Sequence, residues 1–219
     1  MKIQDYSGLI RNLPVRQQSF TTKRSTWGKA ESQIPWLAEL NNKIFENRIA
    51  VTISRQDVFA TDDVRELIVK TIYWGYPRGM RGNHVVNIFN AMKEIETEFT
   101  LALARETNQS IDSSNFASLL ELFESIEGLG ISTLTKLLYF NDVTFDGHRC
   151  LILDSRIIKV LQEAKFNEFH SLRHIRYGKG VLLYTQYLQV MSAVSRDLDV
   201  NCEGLEQFLF LFGGNLKIG

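Results

Sequence analysis

Apolar positions recur at three- and four-residue intervals along most of this chain, the spacing that gathers them on one face of an α-helix. Pro35, at a first turn, opens Trp36-Leu37-Leu40-Ile44-Phe45. Thr61 stands where it can cap a helix carrying Val64-Leu67-Ile68-Ile72. Beyond a glycine-rich turn from Gly75 to Gly82, Val85-Ile88-Phe89-Met92-Ile95-Phe99 continue the stripe. Ser113 or Ser114 can cap Phe116-Leu119-Leu120-Phe123-Ile126, and two more helical stripes run over Val181 to Val194 and Leu205 to Phe212. Period-two alternation is confined to Ile49-Val51-Ile53. With prolines only at Pro14, Pro35 and Pro77, the pattern predicts an all-α protein of about nine or ten helices with short loops.

Composition narrows the function classes. The chain has 219 residues, enough for one or two domains. It is 44% apolar and 23% charged, which fits a folded globular protein rather than a disordered one. No apolar run approaches the ~20 residues of a membrane span, and Met1-Lys2-Ile3-Gln4-Asp5 lacks the apolar core of a secretory signal. A cytoplasmic protein is the expectation, nucleoid-associated if the source is bacterial. The only two cysteines, Cys150 and Cys202, exclude a disulfide scaffold and any site needing four thiolates. Twenty-five basic and twenty-five acidic side chains cancel, so a nucleic-acid partner would need positive charge collected on one face. Candidate basic stretches are Lys165, His170, Arg173, His174, Arg176 and Lys179, and Lys23, Arg24 and Lys29 near Trp27. No glutamate follows His170 as a zinc-protease helix requires, and neither the zinc-deaminase signature nor a P-loop nor a dinucleotide fingerprint is present.

The stretch that carries chemistry is Ile126 to Val160, IEGLGISTLTKLLYFNDVTFDGHRCLILDSRIIKV. One helix ends near Ile126, Gly128-Leu129-Gly130 turns, and Leu134-Leu137-Leu138 begin another at once, which makes a helix-hairpin-helix. Glycines permit unusual backbone angles and let a phosphate approach the main chain, where free N–H groups at the next helix start hold it. Such binding reads no sequence and needs few lysines. A plain helix–helix turn is the competing reading. Further on, Asp154 follows an apolar run and precedes the amphipathic Ile157-Ile158-Val160, the place of an N-cap. Capping alone would account for an Asp there.

Taken together these residues resemble the helix-hairpin-helix DNA glycosylase superfamily, the HhH-GPD fold of endonuclease III, adenine glycosylases and 8-oxoguanine glycosylases. The family hairpin Leu-Pro-Gly-Val-Gly-x-Lys/Ser-Thr-Ala is matched by Ile126-Glu127-Gly128-Leu129-Gly130-Ile131-Ser132-Thr133-Leu134. Its catalytic segment, Ile-Leu-Asp-Gly-Asn-Val-x-Arg-Val-Leu, is matched by Ile152-Leu153-Asp154-Ser155-Arg156-Ile157-Ile158-Lys159-Val160-Leu161. Glu127 replaces the usual proline, and the interval from Ser132 to Asp154 is a few residues longer than the resemblance implies, which fits a loop insertion within Asn141 to Gly147.

The resemblance implies two helical subdomains with a DNA and base cleft between them, one over 61–147 and the other combining 1–60 with 148–219. It implies a monomer acting on double-stranded DNA, with no membrane and no metal, and with at most a monovalent cation at the hairpin. Gly128, Gly130, Ile131 and Ser132 would hold the DNA phosphate. Ser132 occupies the position at which strand-cleaving members carry a nucleophilic lysine. A hydroxyl cannot form a Schiff base, so a monofunctional enzyme that lets water attack is expected, with Asp154 stabilising the cationic sugar and orienting the water. Lys136, one turn on along the same face, is expected to be solvated or phosphate-facing; its use as a displaced nucleophile is the rival, and a non-catalytic DNA-binding module or a protein-interaction domain are others. For the flipped base, Tyr73, Trp74 and Tyr76 beside Arg78 and Arg81 form one candidate pocket, and Gln207 with Phe208 or Phe212 another. Core packing is the competing reading of both. The C-terminal helix leans toward a purine lesion such as 8-oxoguanine, and a modified phage base in an anti-phage system is the other setting the resemblance allows.

Overall fold

The computed structural model describes residues 1–80, 82, 84–104, 110–176 and 180–216. Among them twelve α-helices follow in order: α1 Ser7–Arg11, α2 Arg24–Glu31, α3 Pro35–Phe45, α4 Arg55–Phe59, α5 Val64–Gly75, α6 His84–Asn90, α7 Met92–Ala104, α8 Ser113–Ser125, α9 Ile131–Phe140, α10 Ser155–Gln162, α11 Gly180–Asp197 and α12 Cys202–Phe208. A π-helical turn, Leu209–Gly213, continues α12 directly. The fold class is therefore mostly α, as the periodicity predicts. Three of the expected boundaries move. Asp63 caps α5, accepting from Glu66 N at 2.8 Å, whereas the Thr61 hydroxyl donates to Asp57 O and closes α4. Asp112 caps α8, because Ser113 and Ser114 already lie inside the helix. The stripe from Val85 to Phe99 is shared by α6 and α7, which part only at Ala91.

Strands are few and short. β1 (Ser19–Lys23) and β2 (Ala50–Ser54) form an antiparallel pair with Phe20 opposite Ile53 and Thr22 opposite Val51. The expected strand at Ile49 begins one residue later, and Ile49 itself is exposed. β3 (Ser110–Ile111) pairs in parallel with β4 (Thr144–Phe145), which pairs antiparallel with β5 (His148–Arg149). The β4–β5 connection is the two-residue turn Asp146-Gly147, both at positive φ (51° and 74°), as a hairpin of primed type requires. This hairpin lies within the interval between Ser132 and Asp154.

Helix α9 occupies the centre. Each of its residues except Ser132 is buried, and it packs against α4, α5 and α8. The buried residues of both sequence-defined groups, 61–147 and 1–60 with 148–219, join one hydrophobic cluster that includes Trp27, Tyr73, Phe116, Phe145 and Tyr184. No helix among the described residues is long and apolar enough to cross a membrane.

Candidate active site

The turn between α8 and α9 is built around Gly128. Its φ of +101° is closed to side-chain-bearing residues without strain, and a Cβ there would meet His84 Cβ at 2.5 Å. Gly130 is extended, and a Cβ on it would meet nothing within 4 Å. Its carbonyl accepts from Thr133 N and Leu134 N, which uses both lone pairs; that carbonyl does not fit a monovalent cation. The N–H groups of Ile131 and Ser132 open α9 with no intrahelical acceptor, the arrangement that suits an anion.

Asp154 is positioned from behind by a buried extended segment. Leu151 N and O bond the Tyr184 hydroxyl, Ile152 O accepts from Tyr187 Oη, and Leu153 N donates to Thr135 Oγ1 of α9. Burial pushes both tyrosines well above the ordinary phenol range, so they remain neutral hydroxyls. Asp154 then caps α10, its Oδ1 accepting from Arg156 N at 2.9 Å and Ile157 N at 3.0 Å. No hydrogen bond to Oδ2 is formed among the described residues. One oxygen therefore serves the helix and the other is available, so capping is not the whole of what this carboxylate can do.

Lys136 departs from expectation. It is 3% exposed, not solvated, because α9 is central to the core. Side chains on a helix lean toward its N-terminus, and Lys136 Nζ reaches back one turn to Ser132, 2.7 Å from Oγ and 3.1 Å from its carbonyl. The amine of Lys136 is thus held against the side chain at position 132. The stem of Lys136 lies over Gly75, where a Cβ would stand 3.1 Å from Cδ and Cε.

One cavity of about 250 Å³ brings these groups together. Its polar lining includes Ser132, Lys136, Asp154, Arg156 and Glu206; its aromatic lining is Phe20, Trp74, Tyr76 and Phe210. Phe20 meets Trp74 and Phe210 edge-on, the Arg156 guanidinium lies 4.9 Å over Phe210, and the Tyr76 hydroxyl is 2.8 Å from Thr133 Oγ1. Of the sequence candidates, Trp74 and Tyr76 line this cavity and Tyr73, Gln207, Phe208 and Phe212 do not. Tyr73 is on the other side of α5, stacked on Trp27 at 4.1 Å and donating to Asn41. Phe208 packs against Tyr6, Phe166 and Phe212. Gln207 is buried, its Oε1 without a partner. Positions 206 and 210 share a face one turn apart, and that face, not the one bearing 208 and 212, turns to the cavity. Periodicity shows that faces exist but not which one meets the site. Glu206 and Phe210 escape sequence reasoning for that reason, although a single glutamate amid Leu205 and the phenylalanines is a visible signal; Phe20 of β1 and Arg156 of α10 also line the cavity and carry no such signal.

Behind the cavity lies a fully buried ion pair. Arg55, 0% exposed, gives NH1 to Glu206 Oε2 at 2.8 Å and NH2 to Oε1 at 3.2 Å. It also donates to Tyr139 Oη and Gln18 Oε1. Burial opposes the Arg55 charge but Glu206 and Tyr139 outweigh it, holding the guanidinium firmly protonated. Burial pushes the Cys150 thiol up to about 12, so it is no nucleophile at neutral pH. Among the described residues no group of three or more His, Cys, Asp or Glu side chains could hold a metal ion. In the basic stretches, Lys165 is engaged by Glu163 and the carbonyls of Gly213 and Gly214, and Arg24 by Glu31 and Asn42. Lys23, His170, Arg173, His174 and Arg176 are exposed; Arg81 and Lys179 lie outside the described residues.

A family model described as "Putative 8-oxoguanine DNA glycosylase OGG-like protein" matches residues 13–210. No curated protein and no solved structure matches the chain.

Proposed function

The chain belongs to the 8-oxoguanine DNA glycosylase OGG-like family, and from that premise we propose that it is a DNA N-glycosylase in which Asp154 and Lys136 act on one flipped nucleotide of double-stranded DNA. The observation that carries this reading is the shared cavity. A half-buried carboxylate with one free oxygen and a buried amine line the same aromatic-walled space, at the junction of the two helical groups. A single copy of the chain suffices, since every residue invoked is its own.

In this reading the base unstacks into the space between Phe20, Trp74, Tyr76 and Phe210, and a phosphate rests on the N–H groups that open α9. The glycosidic bond breaks with its electron pair leaving on the base, and positive charge develops on the sugar. Asp154 stabilises that charge as a fixed carboxylate. The neutral Lys136 amine gives its lone pair to C1′ and loses a proton, which the departing base takes up, so no outside reagent is consumed. Opening of the sugar ring yields a Schiff base from which the strand can be cleaved. This reading takes the alternative to the expected water attack, in which the amine absent from position 132 comes from position 136. Water attack remains a second reading, favoured by one observation: Nζ is tied by hydrogen bonds to both Ser132 oxygens, which holds it against its own helix rather than free to reach C1′.

Borohydride separates the two. With duplex DNA carrying 8-oxoguanine, the wild type is expected to give a covalent protein–DNA adduct that Lys136→Ala does not. Alkali-labile sites should fall by about 10²- to 10³-fold in Asp154→Asn, the loss typical of a preorganised electrostatic group. Alkali-labile sites without an adduct would establish water attack. Neither product, across a panel of damaged and modified bases, would overturn the glycosylase reading.

A further inference from the structure

Gly75 is a glycine that its own backbone does not require. It is the last residue of α5 and is not in the left-handed region, and a helical glycine is less favourable than alanine. The space beside it is filled by one side chain. A Cβ would stand 3.1 Å from both Cδ and Cε of Lys136 and near no other group within 4 Å, whereas carbon atoms settle at about 3.5–4.0 Å. At Gly213 the atoms in the way belong to Val160 of the core; at Gly75 they are the stem of an amine that lines the cavity. That stem is confined on its other sides. Nζ is 2.7 Å from Ser132 Oγ and 5.7 Å from the centre of the Tyr76 ring, whose hydroxyl is tied to Thr133. Ser132 is the one residue of α9 that is not buried, so the slot leads a core lysine to the open position of its helix. Among the described residues its hydrogen bonds go to Ser132 alone, with no carboxylate partner. Burying an amine without a counter-ion is costly, so stability does not account for the slot.

We infer that Gly75 is a positioning residue: its missing side chain sets the path by which Lys136 carries its amine to position 132, and so sets how far excision passes through a protein–DNA Schiff base. The inference rests on the amine reading of the glycosylase and adds the residue that makes an amine usable from one turn further along α9. A lysine at position 132 would start on the open face and would not cross Gly75. A lysine at position 136 reaches the cavity only over it. The chemistry itself is unchanged: the amine lone pair joins C1′, and the base leaves with its bonding pair and takes up the amine proton. A methyl at position 75 suits the helical backbone of α5 and displaces only a flexible stem, by roughly 0.5 Å. With Tyr76 on one side and Ser132 at the tip, that displacement is passed on to the amine. Misplacement by about 1 Å is enough to slow a positioned reaction on the order of 10²-fold.

The test reads a ratio, the borohydride-trapped adduct formed per base released from duplex DNA carrying 8-oxoguanine. That ratio should fall about 10-fold in Gly75→Ala and about 10²-fold in Gly75→Val, with the urea midpoint of Gly75→Ala no lower than that of the wild type. A merely structural role would lower the midpoint and total base release together and leave the ratio in place. Moving the amine completes the test. In the exchanged pair S132K/K136S nothing crosses position 75, so adding G75A should leave the ratio unchanged, and its methyl should raise the midpoint by filling the space that the stem vacates. Should the exchanged pair not fold, the two replacements of Gly75 in the wild-type background decide alone. An adduct in the wild type that is equally abundant per base released in both Gly75 variants overturns the role of Gly75 and leaves the amine reading standing. An equal fall caused by G75A in the exchanged pair does the same. Base release without any adduct in the wild type overturns the amine reading and this inference with it, and release of no base overturns the glycosylase reading as well.

Discussion

The cavity has two walls of opposite construction. On one side the hairpin and the start of α10 contribute backbone N–H groups, a hydroxyl, an amine and a carboxylate, each held at a fixed offset from a helix end. On the other, α12 and its π-helical continuation contribute Phe210 and Glu206 from a helix that is buried from Glu203 to Leu209. The first wall is set by local rules: a cap, a positive-φ glycine, a lysine leaning back one turn. The second is set by tertiary packing, through contact of the π-helical turn with α10, where Gly213 abuts Val160 so closely that a Cβ would come within 2.7 Å of it. Groups proposed to react therefore stand on helix ends, and the ring of Phe210 proposed to stack on the base stands on a wall packed into the core. Changes on the second wall should divide sharply between those that unfold the protein and those that only alter its substrate handling.

Neighbouring phenylalanines give the largest contrast. Phe208 is 0% exposed, so Phe208→Ala should lower stability by about 3–5 kcal/mol, the usual cost of emptying an aromatic core position. Phe210 is half-buried at the cavity. Phe210→Ala should change stability far less but slow excision by about 5- to 150-fold, as expected for one base-stacking contact of roughly 1–3 kcal/mol. Urea unfolding and single-turnover rates on both variants test the division. Equal loss of stability in the two would erase the distinction between faces.

That contrast also shows how far the sequence could be read. Periodicity is enough for the all-α class, and local residue types for the glycine turn between α8 and α9 and the capping place of Asp154, because caps and glycine turns act within a few residues of themselves. The face of α12 could not be assigned, since 206/210 and 208/212 are equivalent stripes until α10 is docked. The burial of Lys136, expected to be solvated or phosphate-facing, is not legible because nothing local announces that every residue of α9 except Ser132 is buried. The Asp146-Gly147 turn is legible: an Asp-Gly pair between Phe145 and His148 is a strong hairpin signal. Asp63 and Asp112 capped where hydroxyl residues were expected, a choice made by backbone geometry at the helix start rather than by residue type.

The hairpin wall can be divided the same way at smaller cost. Gly128→Ala places a side chain at φ +101° against His84, and should destabilise by about 1–3 kcal/mol, the range for a forced backbone outlier. Gly130 has an extended backbone and open space before its Cβ, so Gly130→Ala should leave the unfolding midpoint in place and weaken DNA binding, because the added methyl stands where a phosphate would approach. Both glycines belong to the motif, but only Gly128 is required by the fold. A loss of stability in Gly130→Ala equal to that in Gly128→Ala would show that the turn is a single structural unit with no phosphate-facing half.

The smallest expected effect lies on the far side of α5, where Tyr73 turns away from the cavity toward Asn41, Glu31 and Arg24. The hydrogen bond from Arg24 lowers the Glu31 carboxyl below its ordinary 4.5, against the upward push of burial and with help from Asn41. A carboxylate depressed in the folded state stabilises the protein above its unfolded value, and that contribution is lost as pH falls through the folded value. Wild-type urea midpoints should therefore decline between about pH 5 and pH 3 more steeply than those of Glu31→Gln, which has no proton to take up. The difference should be modest, since a partly exposed pair contributes little. Excision at neutral pH should be the same in both proteins, because this network and the cavity lie on opposite faces of one helix. A fall in excision by Glu31→Gln at unchanged stability would mean that the back of α5 reaches Trp74 after all, and that the two faces are coupled.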